Sequence, residues 1–387
     1  MCVSPRATTQ ERTLFCGVVV AFWAMAPPST PSPSSRKRPL VPLRDTTKLY
    51  VHPTTLQCAQ NCRVCAYKIA CFDVALDKEF TQPLPNQRPE TCPRLRSVNG
   101  SVSNNANVGA SNDNHDATAC LLNVDIDNDK ARTARHILTV GDGDFSFSVA
   151  VARTLQKDRH HRHCLTATSY ESRATLERVY RLETLQSHWN ELQQAGAALR
   201  FKVDATHLPP DLQAMQWDVV VWNFPCTAVD QGQDGQNQAM EDNKELVRQF
   251  CRRVPAHEIH LAHKTKPPYD QWGLVDVVTS GGDWKYVGRI VLDRALWQPY
   301  VPRKAKDAKS FPCHDACTYV FQRAKEGEVA EEESEPTWLD KKLIPVTEDL
   351  VLELRESWLQ KSSTGSKVEE ATKVSKGWTG WKKRRRG

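Results

Sequence analysis

No apolar run in this 387-residue chain reaches the about 18 residues that a membrane-spanning helix needs. Hydrophobic residues make up only 40% of it, and mean hydropathy is −0.56. That is too polar for a chain folded throughout, so long disordered segments are expected. Close, even cysteine spacing is also missing. Eight of the thirteen cysteines precede residue 135 and five follow it. This speaks against a secreted disulfide framework and fits reduced thiols in an intracellular protein. Paired CxxC motifs are missing as well. Among Cys58, Cys62, Cys65 and Cys71 only Cys62-Arg63-Val64-Cys65 has that spacing. A metal-free cysteine-rich segment is therefore expected rather than a zinc knuckle, and no metal site is assigned. Internal repeats are absent, and the formal net charge of +6 is modest but unevenly placed.

The longest apolar segment, LFCGVVVAFWAMA at 14–26, has two readings. Arg12 before it and Ala24-Met25-Ala26 at its end give it the outline of a secretory signal. Translation from Met25 would instead produce MAPPSTPSPSSRKRP, an ordinary disordered, basic beginning, and that is the expectation here. Residues 27–45, rich in Pro and Ser, and 97–130, rich in Ser, Asn and Asp, read as linkers.

Texture changes at residue 135. Apolar runs at 137–140, 164–169, 199–203, 218–224 and 258–263 alternate with helical patterns through Ala150 and Leu155, around 172–195 and around 238–253. Further strands are expected at 274–279, 286–292 and 317–321. Continuous apolar strands separated by helices predict an α/β fold with a mostly parallel sheet covered on both faces. The closely spaced late strands predict an antiparallel edge. A Rossmann-like methyltransferase sheet is the architecture that combines the two. The expected division is an extension at 1–134 with a cysteine patch, a Rossmann-like domain at 135–323, and a segment at 324–387. That last segment holds an acidic linker (326–335), a short helix (349–360) and the basic tail KGWTGWKKRRRG.

In a doubly wound sheet, ligands bind beyond the carboxyl ends of the strands. After the first strand comes Gly141-Asp142-Gly143-Asp144-Phe145-Ser146. The glycines permit a tight turn and close approach of a ligand to backbone amides. Ser146 stands where a dinucleotide fingerprint has its third glycine, and two aspartates would repel a pyrophosphate. They would suit a cation such as S-adenosylmethionine; a purely structural glycine turn is the plainer reading. After the second strand, Glu171 can accept both ribose hydroxyls of an adenosine, or simply start a helix. After the third, Asp204 can take an adenine amino group. After the fourth, Asn223 offers an amide in fixed geometry, Phe224 a stacking ring, and Pro225 a stiff turn. The polar loop 230–237 (DQGQDGQN) is either a lid or a long connection.

Taken together, GDGDFSFS, Asn-Phe-Pro at 223–225, HKTKPPYDQW (263–272) and WQPYVPRKAKDAKSFPCHDACTYVF (297–321) resemble the eukaryotic large-subunit ribosomal RNA (uridine-N3) methyltransferase-like domain family. The resemblance covers about 135–323. It implies a class I methyltransferase fold using S-adenosylmethionine, with Gly141, Asp142, Gly143 and Phe145 on the cofactor loop and Asn223, Phe224 and Pro225 on the substrate side. Tyr269, Asp270 and Trp272 match its Pro-Tyr-x-x-Trp segment. Two departures stand on the RNA side. Trp297-Gln298-Pro299-Tyr300 lacks the glycine of the usual Phe-Pro-Gly-Tyr element, and the loop after 225 carries Asp230 and Asp234.

The expected activity is transfer of a methyl group to a base of ribosomal RNA, N3 of a uridine being the implied acceptor. A general base, if one exists, is Asp230 or water. Arg303, Lys304, Lys306 and Lys309 form a basic cluster suited to phosphates or simply a solvated hairpin. The tail's Trp378, Trp381 and basic run suit RNA or nuclear import. Ribosomal RNA or a pre-ribosome is the expected partner, and the nucleus or nucleolus, alternatively the cytoplasm, the expected location. The rival reading is a catalytically silent relative that binds RNA or an assembly partner through the same fold.

Overall fold

The computed structural model describes residues 48–70, 92–96, 134–158, 162–227, 237–305, 307–324, 343–354 and 356–357. Among the described residues nine strands make one sheet: β1 (Leu49–Val51), β2 (Arg135–Val140), β3 (His163–Thr168), β4 (Ala198–Arg200), β5 (Trp217–Asn223), β6 (Ala256–Lys264), β7 (Trp284–Val291), β8 (Ala316–Arg323) and β9 (Ile344–Pro345). Their order is β4-β3-β2-β5-β6-β8-β7-β1-β9. The first five in that order are parallel. Strand β8 then runs antiparallel to both β6 and β7. The antiparallel pairing expected at an edge thus lies inside the sheet, and the sheet continues past it.

Alternation explains why the parallel strands read as unbroken apolar runs. Ile137, Val219 and Val221 belong to one core cluster, and Leu138, Val220 and Trp222 to the other. Each face is covered, so both alternate sets are buried. One face takes helix α4 (Ser146–Leu155), whose residues 146–152 are all buried. It also takes α6 (Leu182–Gln194), which presents Leu185, His188, Trp189 and Leu192. The other takes α8 (Asn237–Arg253) through Val247 and Phe250, and α9 (Leu274–Thr279).

Four local expectations are corrected. The run at 274–279 is helix α9, not a strand. Its buried residues Leu274, Val277 and Val278 follow the i, i+3, i+4 stripe, which a run of only six residues (LVDVVT) cannot distinguish from a strand by pattern. The helix expected around 172–195 is two, α5 (Arg173–Val179) and α6, because Tyr180 takes an extended conformation (φ −108°, ψ 162°) between them. Strand β4 ends at Arg200 rather than 203. Lys202 has φ +58°, and Phe201 packs edge-on against Phe145 and Trp189.

The fourth correction concerns the domain limits. Interval 135–323 does not enclose the sheet. From the amino-terminal side β1 pairs in parallel with β7, and from the carboxyl-terminal side β9 pairs with β1. Three residues (LYV) are too few to stand out as a strand in sequence. Gly288 makes the docking possible, because a Cβ there would lie 2.8 Å from the Tyr50 ring and 2.9 Å from the Lys48 carbonyl oxygen. Around β1 lie α1 (Pro53–Ala59), α2 (Arg63–Ala70) and α3 (Pro93–Arg96). Beyond β9 the chain is helical at 348–354, where Val351 and Leu354 are buried. No helix among the described residues is long and apolar enough to cross a membrane.

Candidate functional site

Strand order reverses beside β2, with β3 on one side and β5 on the other. At the carboxyl ends of these strands lies a cleft of about 370 Å³. Its floor is the glycine turn. Gly141 has φ +66°, and a Cβ there would sit 2.9 Å from Trp222 Nε1. Neither the conformation nor the space admits a side chain. At Gly143 a Cβ would meet the Tyr180 hydroxyl at 2.8 Å. The break between α5 and α6 therefore serves the site: it brings Tyr180 over the turn.

The aspartates of the turn have roles that their sequence context hides. Asp142 Oδ2 accepts the Ser148 amide and hydroxyl, each at 2.7 Å, and so satisfies one of the free amides in the first turn of α4. Burial, and after it the neighbouring Asp144, push the Asp142 carboxyl up to about 7. Asp144 is buried. Its Oδ1 accepts the Ser146 amide, its carbonyl accepts His188 Nδ1–H at 2.7 Å, and its Oδ2 accepts Arg303 Nε–H at 2.8 Å. Two expectations fall here. Asp144 is not an open negative charge for a cationic ligand, because Arg303 neutralises it. Arg303 is not an open phosphate contact either. It is committed to Asp144 and to the Ala308 carbonyl (2.7 Å), and it lies over the Tyr180 ring. Phe145 belongs to the loop, but its ring is fully buried against Phe201 and supports the cleft from behind.

Glu171 and Asp204 both line the cleft. Among the described residues no side chain or amide bonds the Glu171 carboxylate. Asp204 is half committed: its Oδ1 accepts the Thr206 amide (2.8 Å) and hydroxyl (2.7 Å), while its side chain is 46% exposed. On the far wall, Asn223 ends β5 and Phe224 comes next with φ +55°. That conformation is costly for a phenylalanine and persists where surroundings impose it. Here the Phe224 amide bonds the Ala262 carbonyl, and its ring meets Phe311 edge-on at 5.0 Å. Pro225 is buried behind the wall, and Asn243 Oδ1 accepts the Thr227 amide at 2.7 Å to hold the turn. The Asn223 amide has no hydrogen-bonding partner among the described residues. Loop residues 230–236, with Asp230, lie outside them.

Lys304 lines the cleft mouth. Lys309 does not; it is exposed, 3.8 Å from Asp307. Lys306 lies outside the described residues. Residues that sequence reasoning left out of the site complete it: Tyr180, Trp222 and Tyr300 line the cleft, and Tyr300 packs on Phe147 with ring centres 5.1 Å apart. Tyr300 was visible only as part of an atypical motif, and nothing near Tyr180 in sequence marks it.

Residues 138–304 match the family described as rRNA (uridine-N3-)-methyltransferase BTM5-like. The BTM5-like stretch includes every residue of the cleft named above except Phe311. Among individual proteins, the chain is 32% identical over 171 residues to "Heavy metal-associated isoprenylated plant protein 41" of Arabidopsis thaliana, covering 41% of this chain and 32% of that one. It is 28% identical over 200 residues to "Uncharacterized protein At4g26485" of the same plant, covering 49% of this chain and 92% of that one. The chain thus spans about a third of the first of these relatives and nearly all of the second. A solved structure, the N-terminal domain of human METTL16 in complex with SAH, aligns with a TM-score of 0.29 at 10% identity, covering 50% of this chain and 62% of that one.

Proposed function

We propose that this protein transfers a methyl group from S-adenosylmethionine to a base of ribosomal RNA, with N3 of a uridine in the large-subunit RNA as acceptor. The observation that carries the proposal is the convergence of Gly141, Gly143, Glu171, Asp204, Asn223 and Phe224 on one cleft at the switch point of the sheet.

The donor fits these residues. Gly141 and Gly143 leave the backbone bare. The Glu171 carboxylate is available to ribose hydroxyls, and Asp204 Oδ2 to an adenine amino group while its Oδ1 stays on Thr206. When bound, S-adenosylmethionine supplies an electrophilic methyl on a sulfonium. The protein's task is then chiefly positioning. Asn223 donates through its side-chain amide to a uracil carbonyl oxygen and fixes the imide edge while N3 faces the methyl. N3 gives its proton to water as the N3–CH3 bond forms and the S–CH3 bond breaks, releasing S-adenosylhomocysteine. Phe224 stacks the ring; Lys304 holds a backbone phosphate. A paired base must be splayed from its helix to reach this depth. Such a substrate places the protein's work on ribosomal RNA or a pre-ribosome, in the nucleus or nucleolus.

The test is calorimetric titration of the full chain with S-adenosylhomocysteine, followed by methyl-label transfer to ribosomal RNA and identification of the labelled nucleoside. Saturable binding and label on uridine N3 support the reading in full. Label on another base keeps the enzyme and overturns the acceptor. No binding to the folded chain makes it a silent module.

A further inference from the structure

We propose that Cys58, Cys62, Cys65 and Cys92 bind a single zinc ion in a structural tetrathiolate site. The set differs from the one the sequence pattern offered. Cys71 lies outside the described residues, and the fourth thiol comes from Cys92, at the start of α3.

Three observations carry this. First, the four sulfur atoms all lie within 4.8 Å of one another, with Cys65–Cys92 at 3.6 Å and Cys58–Cys92 at 3.8 Å. Four thiolates about 2.3 Å from a common ion form a tetrahedron with edges of about 3.8 Å. A disulfide needs sulfurs about 2.05 Å apart. The thiols therefore stand at the spacing of co-ligands, not of a bond. Iron–sulfur clusters are also bound by four cysteines, but their bridging sulfides require a wider cage than this.

Second, three of the four are buried, and the helices that bring them together have 7, 8 and 4 residues. Helices so short do not hold themselves in water. A common ion would supply the missing cross-link between α1, α2 and α3.

Third, the surroundings suit a doubly negative zinc tetrathiolate. Lys68 lies three residues after Cys65 and Arg94 two after Cys92. Both cations meet at Asp293, Lys68 at 2.9 Å and Arg94 at 2.7 Å. Two positive charges against one carboxylate leave a net positive charge beside the sulfurs.

The same contacts say what the ion would do. Asp293 also accepts from Thr55 Oγ1 at 2.8 Å and from the Ala295 amide at 3.1 Å, starting the turn that leads to Trp297 and Tyr300. Zinc would hold α1–α3 against the base of that turn, and the turn forms a wall of the cleft without zinc touching its contents. This is independent of the methyl-transfer reading.

The test is the metal content of the full wild-type chain, purified without chelator. The expected result is one zinc per chain, released by a mercurial reagent, and a thiolate-to-metal charge-transfer absorption when cobalt(II) is exchanged in. Cys62→Ser and Cys92→Ser should each lose the metal, while Cys251→Ser, a buried cysteine elsewhere, should keep it. Wild-type chain with well under one zinc and four alkylatable thiols, a disulfide among the four, or iron with acid-labile sulfide would each overturn the proposal. The wild-type measurements stand even if a variant fails to fold.

Discussion

Arg303 donates to the Asp144 carboxylate at 2.8 Å across 159 residues, fastening the loop after β7 to the glycine turn after β2. Asp144 is buried and Arg303 only partly so, with their side chains 3% and 26% exposed. Losing the cation strands a buried negative charge. Arg303→Ala should destabilise the protein by about 2–4 kcal/mol in denaturant unfolding. The salt slope of RNA binding should barely move. A slope lowered by about one with stability unchanged would make Arg303 a phosphate contact after all.

Gly141→Ala combines an unfavourable backbone conformation with a Cβ 2.9 Å from Trp222 Nε1. Trp222 is itself wedged against Phe250, with ring centres 5.0 Å apart. The variant should lose roughly tenfold or more in S-adenosylhomocysteine affinity by calorimetry, about 1.4 kcal/mol. Gly196→Ala, where φ is +75° but no atom lies within 4 Å, should leave affinity intact.

Asp142 titrates near neutrality because burial, then Asp144, raise its carboxyl to about 7. Linkage fixes the sign. The folded chain holds a proton that the unfolded chain has released above pH 4, so this group's contribution to stability is present at acid pH and is lost as pH rises through 7. A cationic ligand in the cleft should do the reverse. S-adenosylmethionine affinity should rise by up to tenfold per pH unit below 7 and level off above it, with proton release seen in buffers of different ionisation enthalpy. Asp142→Asn should flatten the profile.

Asn223→Ala should leave S-adenosylhomocysteine affinity within about twofold and slow single-turnover transfer roughly a hundredfold, the scale of losing one well-placed polar contact to the reacting group. Equal loss of both would put Asn223 on the cofactor side.

Asp293→Ala leaves Lys68 buried without its carboxylate and should cost about 3–5 kcal/mol. Burial alone would raise the Asp293 carboxyl, but Lys68 and then Arg94 override it and bring it down to about 2. The stability it provides is therefore present above pH 4 and is lost as pH falls from about 4 to 2, a window that acid unfolding of wild type and variant can compare.

The parallel strands and their end residues were legible because the central strands β2, β5 and β6 are buried on both faces and all end at the same side of one sheet. Gly141, Glu171 and Asp204 could be found because each stands just past the end of an apolar run, and Asn223 because it is a polar residue at the end of one. What sequence reading lacked is long-range. Nothing near Asp144 indicates that Arg303 will consume its charge, and nothing near Cys65 indicates that Cys92 will lie beside it. Strand β1 is three residues long and owes its place to the bare backbone at Gly288. Helix α9 was misread because β-branched residues at 275, 277 and 278 fit a strand as well as a helix until a partner layer is known.

The sheet's far side is completed by chain segments from outside the family-matched stretch. Strand β1 pairs with β7 at Arg289 and Ile290, and β9 in turn pairs with β1. A fragment trimmed to 138–304 would lose β8, β1 and β9 together. One trimmed to 135–323 would still leave β7 as a naked border eight residues long, ready to recruit the same border of another molecule. Strands β1 and β9 therefore cover an edge that would otherwise be open to pairing, a role separate from lining the cleft.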